Sequence, residues 1–299
     1  MCRSCERRLL RRVDTLETGS RRRVVLANMT LGDVAPIELI DAAAAGGFDS
    51  ISLRIVTPSP AHFMVPVTGN EALLREIERR LADTGVDVLD VGGIWLHPDM
   101  DVESYLPAFE TAARLGARHF LMGGNDPDEG RTTANFSRFC ELSAPFGLKG
   151  ILEFIPYNHT RTLEDAYRVV STAGQSNAGV LVDALHLSRS GGSPQHLRAL
   201  DATWLAYCQI CDARAEVPLA SELPGEARSN RLYPGLGALP LTELLDALPP
   251  GMPIGVEAPC AEYAELAAVE RGRLCGLATR VFLNGYQKHA AELSRLHVI

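Results

Sequence analysis

The run Gly150-Ile151-Leu152-Glu153-Phe154, the helical pattern over residues 162–173 and the run Gly179-Val180-Leu181-Val182-Asp183 decide the fold. Each flanking run is short and apolar apart from one carboxylate. Such runs, bounded by turn residues, are strands buried on both faces. The segment between them reads as a helix that Gly174 closes, because glycine tolerates the left-handed exit conformation. Strand, helix, strand in this order is the unit of a parallel sheet.

Working outward, the unit recurs. Strand-like runs cover residues 24–29, 50–55, 86–91, 118–122, 150–154, 179–183, 205–210 and 253–258. Helical patterns cover 36–45, 71–84, 103–115, 162–173 and 242–248, and residues 262–299 read as a helical closure. Gly46, Gly85 and Gly116 close helices as Gly174 does. Eight alternations predict an α/β fold, a (β/α)8 TIM barrel, with residues 24–299 as one domain. A doubly wound open sheet is the alternative, but Met29-Thr30-Leu31-Gly32 lacks the GxGxxG pattern its first turn wants. The longest loop-like stretch, 212–237, is rich in Pro, Gly, Glu and Arg, and long loops of this position carry binding function in barrels.

The charge is unevenly spread. Residues 1–23 carry eight arginines against three acids and read as a basic, flexible N-terminal arm. The remainder holds 21 bases against 34 acids. A body that acidic is a poor match for a nucleic-acid backbone and suits cations and small substrates. Lys149 and Lys288 are the two lysines, and Lys149 precedes strand five, away from the barrel mouth, which disfavours Schiff-base chemistry. Seven cysteines, no apolar leader and no long apolar run point to a reduced, cytoplasmic chain without a membrane span. Cys2-Arg3-Ser4-Cys5 reads as part of the arm; Cys208 and Cys211 face opposite sides of a strand and make no redox pair.

The active site of a barrel lies at the carboxyl ends of its strands, and alternation decides which side chains point inward. Glu153 ends strand five, Asp183 ends strand six on the face of Leu181, Gln209 ends strand seven on the face of Leu205 and Tyr207, and Glu257 ends strand eight. Four consecutive strands thus end in an oxygen ligand. A charge there is costly unless it is paired or binds a cation. Three carboxylates and an amide oxygen match one divalent ion, Mn²⁺ first, with Mg²⁺, Co²⁺ and Zn²⁺ as alternatives. Separate salt bridges with arginines of neighbouring strands are the competing reading. His186 follows Asp183 by three residues, as a proton shuttle, substrate hydrogen bonder or fifth ligand, or as a helix-capping or core histidine. Arg54 ends strand two and meets an anion, either on substrate or across the site. Arg231, beside the rigid turn Pro234-Gly235-Leu236-Gly237, is placed over the pocket; Arg214 and Arg228 read as solvated loop charges. His97 and His159 follow strands three and five and line the mouth or lie on surface loops.

The motifs Leu152-Glu153-Phe154-Ile155-Pro156, Val182-Asp183-Ala184-Leu185-His186, Gln209-Ile210-Cys211-Asp212-Ala213, Arg231-Leu232-Tyr233-Pro234-Gly235-Leu236-Gly237 and Gly255-Val256-Glu257 resemble the sugar phosphate isomerase/epimerase group of the xylose-isomerase-like TIM barrel superfamily. The resemblance runs from Val24 to the C-terminus. It implies Glu153, Asp183, Gln209 and Glu257 as metal ligands, and Glu153 and Glu257 as the acid/base pair. It implies His186 and Arg231 as the family's histidine and late arginine. The implied activity is a metal-dependent isomerase or epimerase of a keto-sugar, sugar phosphate or polyol, working by proton abstraction beside a carbonyl through a metal-stabilised enediolate. Homo-oligomers are common in the group. Gln209 stands where sugar epimerases often have His and resembles the 3-dehydroshikimate dehydratases, so a lyase acting on a cyclic keto-acid or a keto-glycoside is the alternative. In that case His186 is the base, with Arg54 and Arg231 on a carboxylate. A non-catalytic metal-binding barrel or partner subunit is the reading from another class. The endonuclease IV branch, with its His-rich multi-zinc site, ranks last. Leu236 stands where relatives often carry Glu.

Overall fold

A computed structural model describes residues 22–57, 64 and 66–296. Eight parallel strands close into one barrel in chain order. They are β1 (Val24–Ala27), β2 (Ser50–Leu53), β3 (Asp87–Leu96), β4 (His119–Gly124), β5 (Lys149–Glu153), β6 (Ala178–Asp183), β7 (Leu205–Ile210) and β8 (Ile254–Val256). The helices are α1 (Pro36–Gly46), α2 (Glu71–Thr84), α3 (Leu106–Arg114), α4 (Glu129–Ser143), α5 (Leu163–Ala173), α6 (Ala184–Arg189), α7 (Pro194–Arg198), α8 (Leu223–Ser229), α9 (Leu241–Ala247) and α10 (Ala268–Leu296).

Local chemistry sets the ends of these helices. Asn70, Asp128 and Thr162 cap α2, α4 and α5 by accepting from backbone N–H groups that have no partner within the helix. Gly85 and Gly174 take the left-handed exit as expected; for α1 that exit falls on Gly47, while Gly46 remains helical. The expected helix over 103–115 divides into a 3-10 turn, Val102–Tyr105, followed by α3, because Pro107 suits the first turn of a new helix. Helix α4 is an addition to the sequence reading. So is α8, which lies inside the long 212–237 stretch.

Apolar packing lies in two places. Outside the barrel, Phe109 of α3 and Phe139 of α4 meet edge to face with centroids 4.7 Å apart, and both contact Phe120 of β4. Inside, Val25, Leu89, Leu121, Ile151, Leu181 and Tyr207 form a separate plug. The period of two then places Glu153, Asp183 and Gln209 one inward step above Ile151, Leu181 and Tyr207. Helix α10 seals the barrel against α1 at a glycine contact, where a Cβ on Gly276 would meet the Gly46 carbonyl. The basic arm lies outside the described residues as far as residue 21. Its last two residues are seated on the barrel: Arg22 donates to the Pro249 carbonyl at 3.1 Å and Arg23 pairs with Asp87 at 2.5 Å. No helix among the described residues is long and apolar enough to cross a membrane.

Candidate active site

Glu153, Asp183 and Glu257 bring carboxylate oxygens within 4.8 Å of one another, and all three residues are buried. Asp183 is fixed through both oxygens. It caps α6 by accepting the His186 N–H at 2.9 Å on Oδ1, and it accepts from Arg231 Nη1 at 2.7 Å on Oδ2. Glu257 lies one residue beyond β8, and its backbone N–H donates to the Ile210 carbonyl at 3.1 Å. Gln209, fully buried, donates from Nε2 to Glu257 Oε1 at 3.4 Å. The structure thus brings together all four sequence-predicted metal-ligand candidates.

Arg231 is placed more deeply than its loop position suggests. It is 1 % exposed. Its Nε donates to the Ala227 carbonyl at 2.8 Å, Nη1 reaches the Glu257 carbonyl at 3.0 Å, and Nη2 lies 3.2 Å from Glu257 Oε2. One planar guanidinium therefore ties Asp183 to Glu257, a geometry that a point-charge ammonium cannot supply. The competing reading expects separate salt bridges with arginines of neighbouring strands; the structure instead pairs both acids with this one arginine from the segment between β7 and β8. Among the described residues no arginine forms an ion pair with Glu153; His186 Nε2 lies 3.9 Å from its Oε1, and the Arg231 charge acts on it from farther away.

The electrostatics follow from burial. Desolvation, reinforced by Glu257 and Asp183, pushes the Glu153 carboxyl well above its ordinary value. Glu257 is raised for the same first reason, against the pull of Arg231. Asp183 is desolvated too, but the Arg231 and His186 contacts outweigh that and hold it low. Burial, aided by Arg231, lowers the His186 ring from 6.5 to about 4 against the opposing pull of Asp183. A neutral His186 makes a prediction. Between these two values the unfolded chain binds this proton and the folded chain does not. Its contribution to stability is complete above pH 6.5 and is lost as pH falls towards about 4. Thermal unfolding should therefore show the stability of wild type relative to His186→Gln declining across that window; a constant difference would contradict a neutral buried ring.

The donor set fits one divalent cation. Glu153 Oε1 and Gln209 Oε1 are buried without a hydrogen-bond partner among the described residues. Orphaned oxygens among three buried carboxylates, balanced by a single guanidinium, lack both charge and partners, and a cation coordinated by oxygen supplies both.

The cluster opens into a cavity of about 340 Å³, large enough for a small substrate. Glu153, Glu257, His186, Arg231 and Arg54 line it, as the sequence reading places them. Arg54 Nη1 lies 3.9 Å from the exposed Asp33, while its Nε is buried without a hydrogen-bond partner among the described residues. Ser52, Trp95, Tyr157 and Arg228 also line the cavity and escaped that reading. Arg228 is exposed, as a solvated charge is, but it sits on α8 rather than a loop and lies at the mouth. His97 and His159 do not line it, and His159 is exposed. Gly92 and Gly93 of β3 and Gly123 of β4, the register partner of Glu153, form one wall of the cavity. A Cβ on Gly123 would collide with the Trp95 ring, so the glycine is what lets that ring lie against the wall.

The chain is similar to proteins of one barrel family. The family model described as xylose isomerase-like TIM barrel matches residues 40–274. An inosose isomerase of Bacillus subtilis (strain 168) is 31% identical over 110 residues, 36% of this chain and 38% of that one. A 3-dehydroshikimate dehydratase of Pseudomonas aeruginosa is 24% identical over 233 residues, 74% of this chain and 35% of that one. The chain therefore spans well under two thirds of the length of either relative. A solved IOLI protein with a bound zinc atom superposes with TM-score 0.72 at 20% identity, covering 88% of this chain and 99% of that one. With a family model covering most of its length, a closed eight-stranded barrel and an acidic cluster at the strand ends, the chain belongs to the xylose isomerase-like TIM barrel family.

Proposed function

We propose that the protein is a divalent-metal-dependent isomerase or epimerase of a small polyhydroxylated ketone, of the inosose kind. The observation that carries this reading is the buried cluster of Glu153, Asp183, Gln209 and Glu257 on consecutive strands, opening into a cavity of substrate size. The similarity to inosose isomerases supports the substrate class. Those four residues would hold the ion; Mn²⁺ suits the all-oxygen set, with Mg²⁺, Co²⁺ and Zn²⁺ as alternatives. When bound, such an ion supplies Lewis-acid polarisation of a substrate carbonyl.

The chain's own residues account for the rest of the chemistry. Glu153 and Glu257 flank Asp183 and Gln209 in strand order. Burial raises the proton affinity of both glutamates, which favours taking a proton from carbon and returning it. Asp183 stays ionised through Arg231 and keeps the cluster anionic. His186, neutral and buried, offers a hydrogen bond to a substrate oxygen without adding charge. Trp95 and the glycine wall accept the C–H face of a ring, and Arg54 binds an oxygen substituent at the mouth.

The test is conversion of an inosose followed by NMR before chelation, after chelation and after Mn²⁺ is restored. Activity should vanish on chelation and return with metal; full activity after chelation would contradict the reading. A dehydratase is the second reading, favoured by Gln209 and by the relative matched over 74% of the chain. Growth of an ultraviolet-absorbing conjugated product from 3-dehydroshikimate, with the inosose untouched, would establish it instead.

A further inference from the structure

Below the carboxylate cluster the barrel holds another acid that the chemistry above does not use. Asp90 of β3 is fully buried. A register shift between β2 and β3 sets it opposite Ser52, whose hydroxyl donates to Asp90 Oδ1 at 2.5 Å. Asp90 Oδ2 has no hydrogen-bond partner, and no cation forms an ion pair with Asp90 among the described residues. The groups facing it are Ser52 from β2, its strand partner His119 on β4, and Tyr207 and Glu257 across the barrel. Burial, with a smaller contribution from the Glu257 charge, pushes the Asp90 carboxyl up to about 7 against the pull of Ser52. Ser52 itself lines the cavity that holds Glu153 and Glu257. Because its hydroxyl hydrogen is committed to Asp90, Ser52 Oγ can meet a substrate hydroxyl only as an acceptor.

We propose that Ser52 and Asp90 carry the hydroxyl proton when a substrate's carbonyl and neighbouring hydroxyl exchange places, which assigns the reaction to isomerisation rather than epimerisation. The inference rests on the isomerase reading above. Isomerisation of an α-hydroxyketone moves two protons. One leaves the hydroxyl-bearing carbon and returns to the adjacent carbon, the task of Glu153 and Glu257. The other leaves the hydroxyl oxygen, which becomes the carbonyl, and is returned to the former carbonyl oxygen, which becomes the hydroxyl. In the relay the substrate O–H bond breaks as its proton passes to Ser52 Oγ, and the Ser52 proton passes to Asp90 Oδ1. The substrate oxygen keeps the electron pair of the broken bond and forms the new C=O. Reversal of both transfers delivers the proton to the second oxygen. One carbon is oxidised and its neighbour reduced, so no external oxidant or reductant enters. Epimerisation restores the carbonyl to its own carbon and has no need of the second transfer. Ser52 is the catalytic member of the pair; Asp90 acts through it.

The experiment follows an inosose in D2O by NMR with the metal-loaded wild type, Asp90→Asn, Ser52→Ala and Ser52→Thr. Two rates are read: deuterium entry at the carbon next to the carbonyl, and migration of the carbonyl. Asp90→Asn and Ser52→Ala should slow migration by about 100-fold or more, the usual range for a lost proton-transfer group, while leaving deuterium entry within about threefold. Ser52→Thr should recover most of the migration. Migration at the wild-type rate in Asp90→Asn, or equal loss of both rates, would overturn the relay. Deuterium entry in the variants also reports that they are folded. A wild type that exchanges no deuterium and moves no carbonyl overturns the isomerase reading itself; one that exchanges deuterium without moving the carbonyl overturns only the relay.

Discussion

Glu153→Gln is expected to remove turnover and, at the same time, to stabilise the metal-free protein. The loss of activity should be about 1,000-fold, because the amide can neither take nor return the proton from carbon. The gain in stability has a separate origin. Glu153 is buried, its Oε1 has no hydrogen-bond partner, and the charges of Glu257 and Asp183 oppose its ionisation. Among the described residues no arginine forms an ion pair with it that the substitution would break. Neutralising such a group removes a buried charge that the apo fold tolerates at a cost, and about 1–3 kcal/mol should be recovered. Thermal unfolding with chelator present, paired with the NMR assay, measures both arms. A variant that is inactive but also destabilised would mean that Glu153 holds the fold rather than the chemistry.

Arg231→Met should produce the opposite pattern in stability. The guanidinium is fully buried, joins Asp183 to Glu257 and satisfies the carbonyls of Ala227 and Glu257. Removing one partner of a buried ion pair leaves the other charges uncompensated, at about 3–5 kcal/mol. Denaturant unfolding should register that loss, and activity should fall with it because Asp183 is no longer held in place. Arg228→Met, an exposed arginine at the mouth, should change stability by less than about 0.5 kcal/mol and serves as the comparison. Equal, small effects from both substitutions would contradict the structural role assigned to Arg231.

Strand-end acids were readable because alternation is local: once Ile151, Leu181 and Tyr207 face inward, Glu153, Asp183 and Gln209 must as well. Eight buried strands were readable for the same reason, although β3 runs on to Leu96 where the apolar run breaks at Gly92-Gly93. Asp90 defeats the same rule. Leu89 already points into the barrel, so strict alternation turns Asp90 outward, and only the register shift against β2 brings it beside Ser52. Two acids interrupt the apolar run of residues 86–91, and Asp90, unlike Asp87 at its start, lies deep within it. Arg231 was legible as a residue but not as an environment. Its position in a long loop suggests a group above the pocket, whereas tertiary contacts from α8 and the end of β8 bury it among the acids. Helix α4 escaped notice because its exposed face is strongly polar; its apolar residues Phe136, Phe139 and Cys140 form only a narrow buried stripe.

The measurement closest to the central claim is the metal content of the purified protein, wild type beside Glu153→Ala and Glu257→Ala, after reconstitution with Mn²⁺ and removal of free ion. One divalent ion per wild-type chain is expected, and its loss in both variants. Wild-type protein that stays metal-free, or variants that bind the ion as well as wild type does, would contradict a metal site built from the strand-end oxygens.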